Sequence, residues 1–183
     1  MHNTRKTLLA SLLIAVAVSL GYMLAGVPNV EMMTVALFVS GFLLGARYGA
    51  VIGGFSAGLY SLFNPLGLAL PPLLAAQVVG FAVTGAAGGL IGPVIAQMSK
   101  RLPAAVCAGV LGFLLTLFYD LLTNIGAFFV MAGTKELAGL VKFVSAGLAF
   151  MGLHLLWNTV LFAVVVKPTL NVLARHRREL SSE

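Results

Sequence analysis

The chain has 183 residues, of which 60% are hydrophobic and 9% are charged, and its formal net charge is +6. A soluble domain carries roughly 25% charged residues, so the composition excludes a soluble protein and leaves little chain for a soluble catalytic domain. The basic residues flank apolar runs and are not interleaved with aromatic ones, which favours membrane topology over nucleic-acid binding. The single cysteine, Cys107, excludes an internal disulfide and a multi-cysteine metal site, and we expect it to be a buried small hydrophobic residue.

The first apolar run covers residues 7–26, which is the length that a membrane helix needs. Two basic residues precede it, as in a signal peptide, but the run is long for one and Leu24-Ala25-Gly26 is a poor cleavage site. Small residues recur every fourth position on two neighbouring faces, Ser11, Ala15 and Ser19 on one and Ala17, Gly21 and Ala25 on the other. Such faces allow close helix contact, either within this chain or with a partner subunit.

Five further apolar segments each predict a membrane helix. They run from about Met32 to Gly45, Tyr48 to Phe63, Leu73 to Ile91, Pro103 to Val130 and Val141 to Val166. Pro28 breaks the first helix, Pro71-Pro72 opens the fourth, and Lys167-Pro168 is expected to end the sixth. The third segment has glycines that predict close helix contact in two registers, Gly49 with Gly53 and Gly54 with Gly58.

Six spans place both termini on one side of the membrane. With the N-terminus inside, nine of the eleven basic residues fall on cytoplasmic segments, and only Lys135 and Lys142 fall outside. The positive-inside rule therefore predicts an N-in, C-in topology. The external connections are then 28–31, 64–72 (with a turn at Asn64-Pro65-Leu66-Gly67) and 132–140. The sequence thus predicts an all-α integral membrane protein with six transmembrane helices in one domain over 1–183, embedded over about 7–166, with 167–183 as a basic cytoplasmic tail.

The stretch Phe118-Tyr119-Asp120-Leu121-Leu122-Thr123-Asn124 contains the only acidic residue inside a long apolar segment. Inserting a carboxylate at membrane depth costs at least about 2.5–3.5 kcal/mol, so we expect Asp120 to have a polar partner or a functional role. Asn124 shares its helix face, and Thr123 lies beside them. Two interpretations remain open, a polar clamp between helices and a ligand site under the external loops.

The sixth segment contains His154, Trp157 and Asn158, with His154 and Asn158 on one face. His154 is interpreted as an interhelical hydrogen-bonding group or a ligand residue, and Trp157 as a packing aromatic or a stacking platform. The sequence has no phosphate loop, no His-Glu-x-x-His motif and no evident nucleophile–base pair. We therefore expect no enzyme activity, no cofactor and no metal, and ATP-driven transport would need an ATPase in another chain.

The order and spacing of these motifs resemble the substrate-binding S components of energy-coupling factor (ECF) vitamin transporters. The resemblance covers roughly residues 8–166. It rests on the small-residue face of the first span, Pro28-Asn29-Val30-Glu31 with Thr34, Phe42-Leu43-Leu44-Gly45-Ala46-Arg47-Tyr48-Gly49-Ala50, Asn64-Pro65 before a Pro-Pro-led span, and Tyr119-Asp120-Leu121-Leu122-Thr123-Asn124.

This resemblance implies a vitamin-like ligand, bound near the external face of the bacterial cytoplasmic membrane. It also implies docking on a membrane-embedded T component that two ATP-binding-cassette ATPases drive. The implied docking residues are Ser11, Ala15 and Ser19, and the implied ligand residues are Asn29, Glu31, Asn64, Gln77, Asp120, Asn124, His154 and Asn158. The resemblance does not single out one vitamin and leaves cobalamin, pantothenate, a thiamine precursor and folate open as substrates. The alternatives are a self-contained secondary transporter or channel for a small solute, and a membrane-embedded enzyme or assembly protein.

Overall fold

The computed structural model describes residues 2–64, 67–132 and 136–179, and these residues form a bundle of helices. The helices are α1 (His2–Met23), α2 (Met33–Leu44), α3 (Ala46–Leu62), α4 (Pro71–Gln97), α5 (Arg101–Met131), α6 (Leu137–Leu161) and α7 (Lys167–Glu179). A π-helical turn over Phe162–Val166 joins α6 to α7. Every apolar run of the sequence coincides with a helix, and Pro71-Pro72 opens α4 as predicted. The predicted turn at 64–67 and the loop at 132–140 include Pro65, Leu66 and residues 133–135, which lie outside the described residues.

Four helical stretches of this described part are long and apolar enough to cross a membrane: Thr4–Met23, Pro71–Gln97, Arg101–Met131 and Leu137–Arg175. Large apolar side chains cover the outside of the bundle, and Leu90 and Leu102 are 68% and 75% exposed. Hydrocarbon around the protein explains such a surface, whereas water does not. The chain is therefore an all-α, multi-pass membrane protein. With 12 and 17 residues, α2 and α3 rise only about 18 and 26 Å, less than the roughly 30 Å hydrocarbon core.

The helices α2 and α3 form a hairpin that packs on α4. Along α2, Phe38 and Phe42 meet Gly88 and Gly92 of α4, so these two helices run parallel. Along α3, the order is reversed, since Gly49 meets Gly85 and Gly53 meets Phe81. The chain reverses at Gly45, whose φ of +90° is a conformation that favours glycine.

The glycines of α3 divide into a pair packed against α4 and a pair with open space beside it. A Cβ added at Gly49 or Gly53 would overlap the backbone of α4, so the close contact predicted for this register is confirmed. The close contact predicted for the second register is wrong. A Cβ added at Gly54 would have only a Val78 side-chain atom near it, at 3.6 Å, and one added at Gly58 would have no atom within 4 Å. Those two glycines line a shallow apolar groove on the outer side of α3 and α4.

Gly88→Ala should destabilise the bundle, because the added Cβ would overlap the carbonyl oxygen of Phe38. Overpacking of this kind typically costs about 1–3 kcal/mol, which thermal unfolding in detergent measures. Gly58→Ala is the matched control, since its helical position is open, and it should leave the unfolding midpoint unchanged or raise it. Equal stability of the two variants would contradict the close packing of α2 on α4.

The small-residue faces of α1 have different surroundings. Ala17 is fully buried, and a Cβ on Gly21 would lie 3.0 Å from the Tyr60 ring, so this face packs inside the chain. Ala25, the third member of that face in the sequence, lies beyond the end of α1. The other face consists of Ser11, Ala15 and Ser19, and all three are exposed. The chain itself therefore leaves this second face uncovered.

Two expectations about single residues are wrong. Cys107 is exposed, because Ala104 and Ala108 form the buried face of this part of α5. Lys167-Pro168 does not end the sixth helix, which continues as α7. The π-helical turn just before Pro168 widens the backbone where a regular α-helix would clash with the proline ring.

The C-terminus of α4 marks an end of the bundle that is rich in basic residues. Buried Lys167 donates hydrogen bonds to the carbonyl oxygens of Ile95 and Ala96, at 3.0 and 2.7 Å, where a helix end is electronegative. Arg47 at the start of α3 and Lys100-Arg101 after α4 lie at this same end. α1 begins there too, because its other end meets Tyr60, near the far end of α3. We call this end the basic end.

Candidate functional site

A cavity of about 420 Å³ lies at the end of the bundle opposite the basic end. The connection between α1 and α2 lines it, together with the end of α3, the start of α4, and parts of α5 and α6. Seven of the eight ligand residues predicted from the sequence lie in its wall: Asn29, Glu31, Asn64, Gln77, Asp120, Asn124 and His154. The eighth, Asn158, is fully buried and donates from Nδ2 to Glu31 Oε1 at 3.1 Å. These residues, distant in sequence, therefore meet in one place.

Three ionisable side chains form a continuous row beside the cavity. Asp120 Oδ1 lies 2.7 Å from His154 Nδ1, and the opposite ring nitrogen, Nε2, lies 3.7 Å from Glu31 Oε1. Asp120 and His154 are 6% and 7% exposed. We call Asp120, His154 and Glu31 the carboxyl–imidazole row. It links α5, α6 and the connection before α2.

Glu31 also fixes the start of α2. Its carboxylate accepts hydrogen bonds from the Thr34 backbone N–H at 2.8 Å and from the Thr34 hydroxyl, where the helix terminus favours negative charge. Burial raises the pKa of the Glu31 carboxyl, but the nearby His154 imidazole and the hydrogen bonds from Thr34 outweigh burial and hold that pKa below its usual value. Trp157 Nε1 donates to the Glu31 carbonyl oxygen at 2.8 Å, so the indole braces this connection.

Some buried polar atoms of the site have no hydrogen-bond partner among the described residues. They are Asp120 Oδ2, His154 Nε2 and Asn158 Oδ1. An unpaired buried polar group costs roughly 1–3 kcal/mol, so each calls for an explanation. Asp120 makes the interhelical bond expected of a clamp with Oδ1, while Oδ2 is left unpaired in a side chain that lines the cavity. The clamp interpretation therefore accounts for only one of its two oxygens.

Other predicted residues have their hydrogen-bonding groups engaged within the protein. Ser61 donates to Gln77 Oε1 at 2.6 Å, which ties α3 to α4. Asn124 Nδ2 donates to the Asp120 carbonyl oxygen at 2.7 Å, and Thr123 Oγ1 bonds the backbone of the same helix. The side-chain oxygen of Gln77 and the Asn124 amide thus shape the polar wall of the cavity.

Aromatic side chains form part of the rest of the wall, beside aliphatic and small residues, and the sequence did not single them out as ligand groups. Tyr60, Phe81, Tyr119 and Phe150 line the cavity. The rings of Phe81 and Tyr119 stack with centroids 4.5 Å apart, and Tyr60 stacks on Tyr22 at 5.0 Å. Phe and Tyr are ordinary in apolar helices, so the only signal was Tyr119 beside Asp120. The cavity therefore combines a flat aromatic wall with a polar, acidic one.

Asn29 fastens the connection between α1 and α2 to α6. Its backbone has φ +59°, a left-handed conformation that asparagine tolerates better than most residues. Its side-chain amide donates to the Phe150 carbonyl oxygen at 2.8 Å. One residue thus both turns the chain and holds it against the cavity.

Asn29→Gly should loosen this connection, because glycine keeps the left-handed backbone but cannot make the bond to Phe150. A hydrogen bond contributes a net of about 0.5–1.5 kcal/mol to stability. Its loss should therefore raise the rate of amide hydrogen exchange across residues 24–32 roughly two- to tenfold. Ser145→Ala, at an exposed position on α6, is the control and should leave exchange unchanged. The same exchange in both variants would show that the bond does not restrain the connection.

The row does not converge on a point where a metal ion would sit, because its carboxyl groups face opposite edges of the imidazole. Within the described ranges, no group of three or more His, Cys, Asp or Glu residues is arranged to hold a metal ion. The row is suited instead to hydrogen bonding and to exchanging protons.

Comparison with known proteins gives no further guide. The chain matches no protein-family model, and searches of curated proteins and of solved structures find no significant match.

Proposed function

We propose that this chain is the substrate-specificity S component of an ECF-type importer, and that it binds a vitamin or related micronutrient in the cavity. The main support is that the residues assigned by resemblance lie together. Seven residues assigned by resemblance, from separate parts of the sequence, line one cavity with unpaired buried polar atoms. Pockets of a few hundred Å³ with aromatic walls and a few polar groups are typical of small-molecule sites.

The proposed topology has both termini in the cytoplasm of a bacterium and the cavity near the external face. The basic end supports this orientation, since positive residues favour the cytoplasmic side. Four long helical stretches and one hairpin also give an even number of crossings, whether or not the α2–α3 hairpin spans the whole bilayer. Six spans, with α2 and α3 as short ones, are the form that we propose.

The proposed partners are a membrane T component and two ATP-binding-cassette ATPases, with lipid around the remaining surface. The exposed face of Ser11, Ala15 and Ser19 supports docking, because small residues allow a second helix to approach closely. On this account the chain is a transport subunit and not an enzyme, and the energy for import comes from the partner ATPases.

A thermal-shift screen of the detergent-purified chain against B vitamins and their precursors tests the proposal. A ligand at 100 times its dissociation constant should add about 2.7 kcal/mol of stability. One strong hit in the absence of ATP and partners is the expected result. No stabilisation by any member of the panel would count against a vitamin-binding subunit.

A second candidate, a proton-coupled secondary transporter, is favoured by the carboxyl–imidazole row. Rows of acidic and imidazole groups inside membranes serve as proton relays in such proteins. Liposomes that contain only this chain distinguish the two functions. Accumulation of the screened ligand driven by a pH gradient would support the second candidate, whereas binding without accumulation would support the S component.

A further inference from the structure

We propose that the cavity selects a small, flat organic cation or an amino-substituted nitrogen heterocycle, and that it rejects carboxylates and phosphates. This inference rests on the proposed function, because it specifies the substrate class of the same cavity. Three properties of the cavity carry it: its charge, the polarity of its unpaired atoms, and its shape.

The charge of the cavity is negative. Glu31 and Asp120 line it, and none of the described lining residues is Lys or Arg. Two carboxylates outnumber the single imidazole of the row, so the row carries a net charge of −1 even with the imidazole protonated. A carboxylate or phosphate ligand would add a second buried negative charge without a counter-ion, which is costly in a low-dielectric site. A cation would neutralise the charge instead.

The unpaired atoms favour a ligand that donates hydrogen bonds. Asp120 Oδ2 is a carboxylate oxygen without a partner among the described residues, so an N–H or O–H group of a ligand would satisfy it. His154 Nε2 is also without a hydrogen-bond partner, and it can donate or accept according to its tautomer. Asp120 lies at the Nδ1 edge of the ring and Nε2 at the opposite edge, so a ligand would meet them with separate groups, a donor for Asp120 Oδ2 and a donor or an acceptor for His154 Nε2. Charge-assisted bonds of this kind are the stronger ones.

The walls require a flat and small ligand. Tyr60, Phe81, Tyr119 and Phe150 give the cavity an aromatic lining, and aromatic rings attract organic cations. A volume of about 420 Å³ holds a one- or two-ring compound but not a corrin macrocycle. Of the substrates that the sequence left open, cobalamin is too large, and pantothenate and folate carry carboxylates. Only the thiamine precursor, an aminopyrimidine, is both small enough for the cavity and free of carboxylate groups.

Matched ligand pairs test the charge selection on the full-length chain in lipid nanodiscs. One pair is 4-amino-5-aminomethyl-2-methylpyrimidine and 4-amino-2-methylpyrimidine-5-carboxylate, and the other is benzamidinium and benzoate. Binding is measured by competition and by thermal stabilisation. We expect the cation of each pair to bind at least tenfold more tightly than the anion. Asp120→Asn should reduce this preference to less than threefold, while Thr116→Val, a buried position on the same helix, should retain it.

Tighter binding of the anion, or an unchanged preference in folded Asp120→Asn, would overturn the inference. So would the failure of every probe to bind a chain that unfolds cooperatively. The proposed function fails differently, in uptake assays with the T component and ATPases. ATP-dependent uptake of an anionic vitamin would sustain the importer and overturn the charge selection. Cation binding without ATP-dependent uptake would support the charge selection and count against the importer function.

Discussion

Asp120→Asn is expected to weaken ligand binding at least tenfold, or about 1.4 kcal/mol, while the protein remains folded. Asparagine keeps the size of the side chain and an oxygen for His154 Nδ1, so the link between α5 and α6 persists. It replaces the negative, unpaired Oδ2 with a neutral group, so the ligand loses its charged acceptor. Equilibrium binding in detergent or nanodiscs measures the effect.

Asp120→Ala separates the clamp from the ligand site. It removes both oxygens and leaves the His154 ring without its partner, so we expect a loss of stability of roughly 1–3 kcal/mol besides the same loss of affinity. Thr116→Val, with unchanged affinity, is the control for both variants. If Asp120→Asn binds as tightly as the wild type and only Asp120→Ala is impaired, through instability, then Asp120 is a clamp and nothing more.

Replacing Ser11, Ala15 and Ser19 with leucine should abolish ATP-driven uptake and leave ligand binding unchanged. The three residues are exposed on α1 and none of them lines the cavity, so leucine there would keep a second helix at a distance without disturbing the cavity. Uptake by proteoliposomes with the complete importer and equilibrium binding by the chain alone measure the two effects.

The matched control places leucine on another lipid-facing surface. Ser145 and Ala149 are small, exposed and four residues apart on α6, as the proposed docking residues are on α1. Their double replacement should retain uptake. Ala17→Leu, on the buried face of α1, should instead destabilise the whole protein. Normal uptake by the triple α1 variant would show that this face is not where the partner binds.

The helices could be predicted from the sequence because apolar length determines them in a membrane. The features that the sequence did not predict are local, and contacts between helices explain them. Pro168 normally ends a helix, but a π-helical turn and the bonds of Lys167 to α4 let the chain continue. Gly54 and Gly58 have the same spacing as the packed glycines, and only the side of α3 that meets α4 distinguishes them.

The polar half of the cavity could also be identified, because polar groups are costly in apolar helices and therefore noticeable. Asp120 and His154 were both found, but their bond was not, since the sequence does not say that α5 and α6 are neighbours at that height. The aromatic half was not predicted, because aromatic residues are common in apolar helices. Tyr60 and Phe81 are unremarkable among other apolar residues until three helices bring them together.

This chain is expected to bind one small solute in the cavity by itself. Equilibrium dialysis of the best compound from the thermal-shift screen, with the purified chain and no ATP or partner, measures that binding. We expect saturable binding of one ligand per chain with a dissociation constant of about 1 μM or lower, at least tenfold weaker in Asp120→Asn. Binding that does not saturate, or that is the same in Asp120→Asn, would rule out specific binding at Asp120 in the cavity.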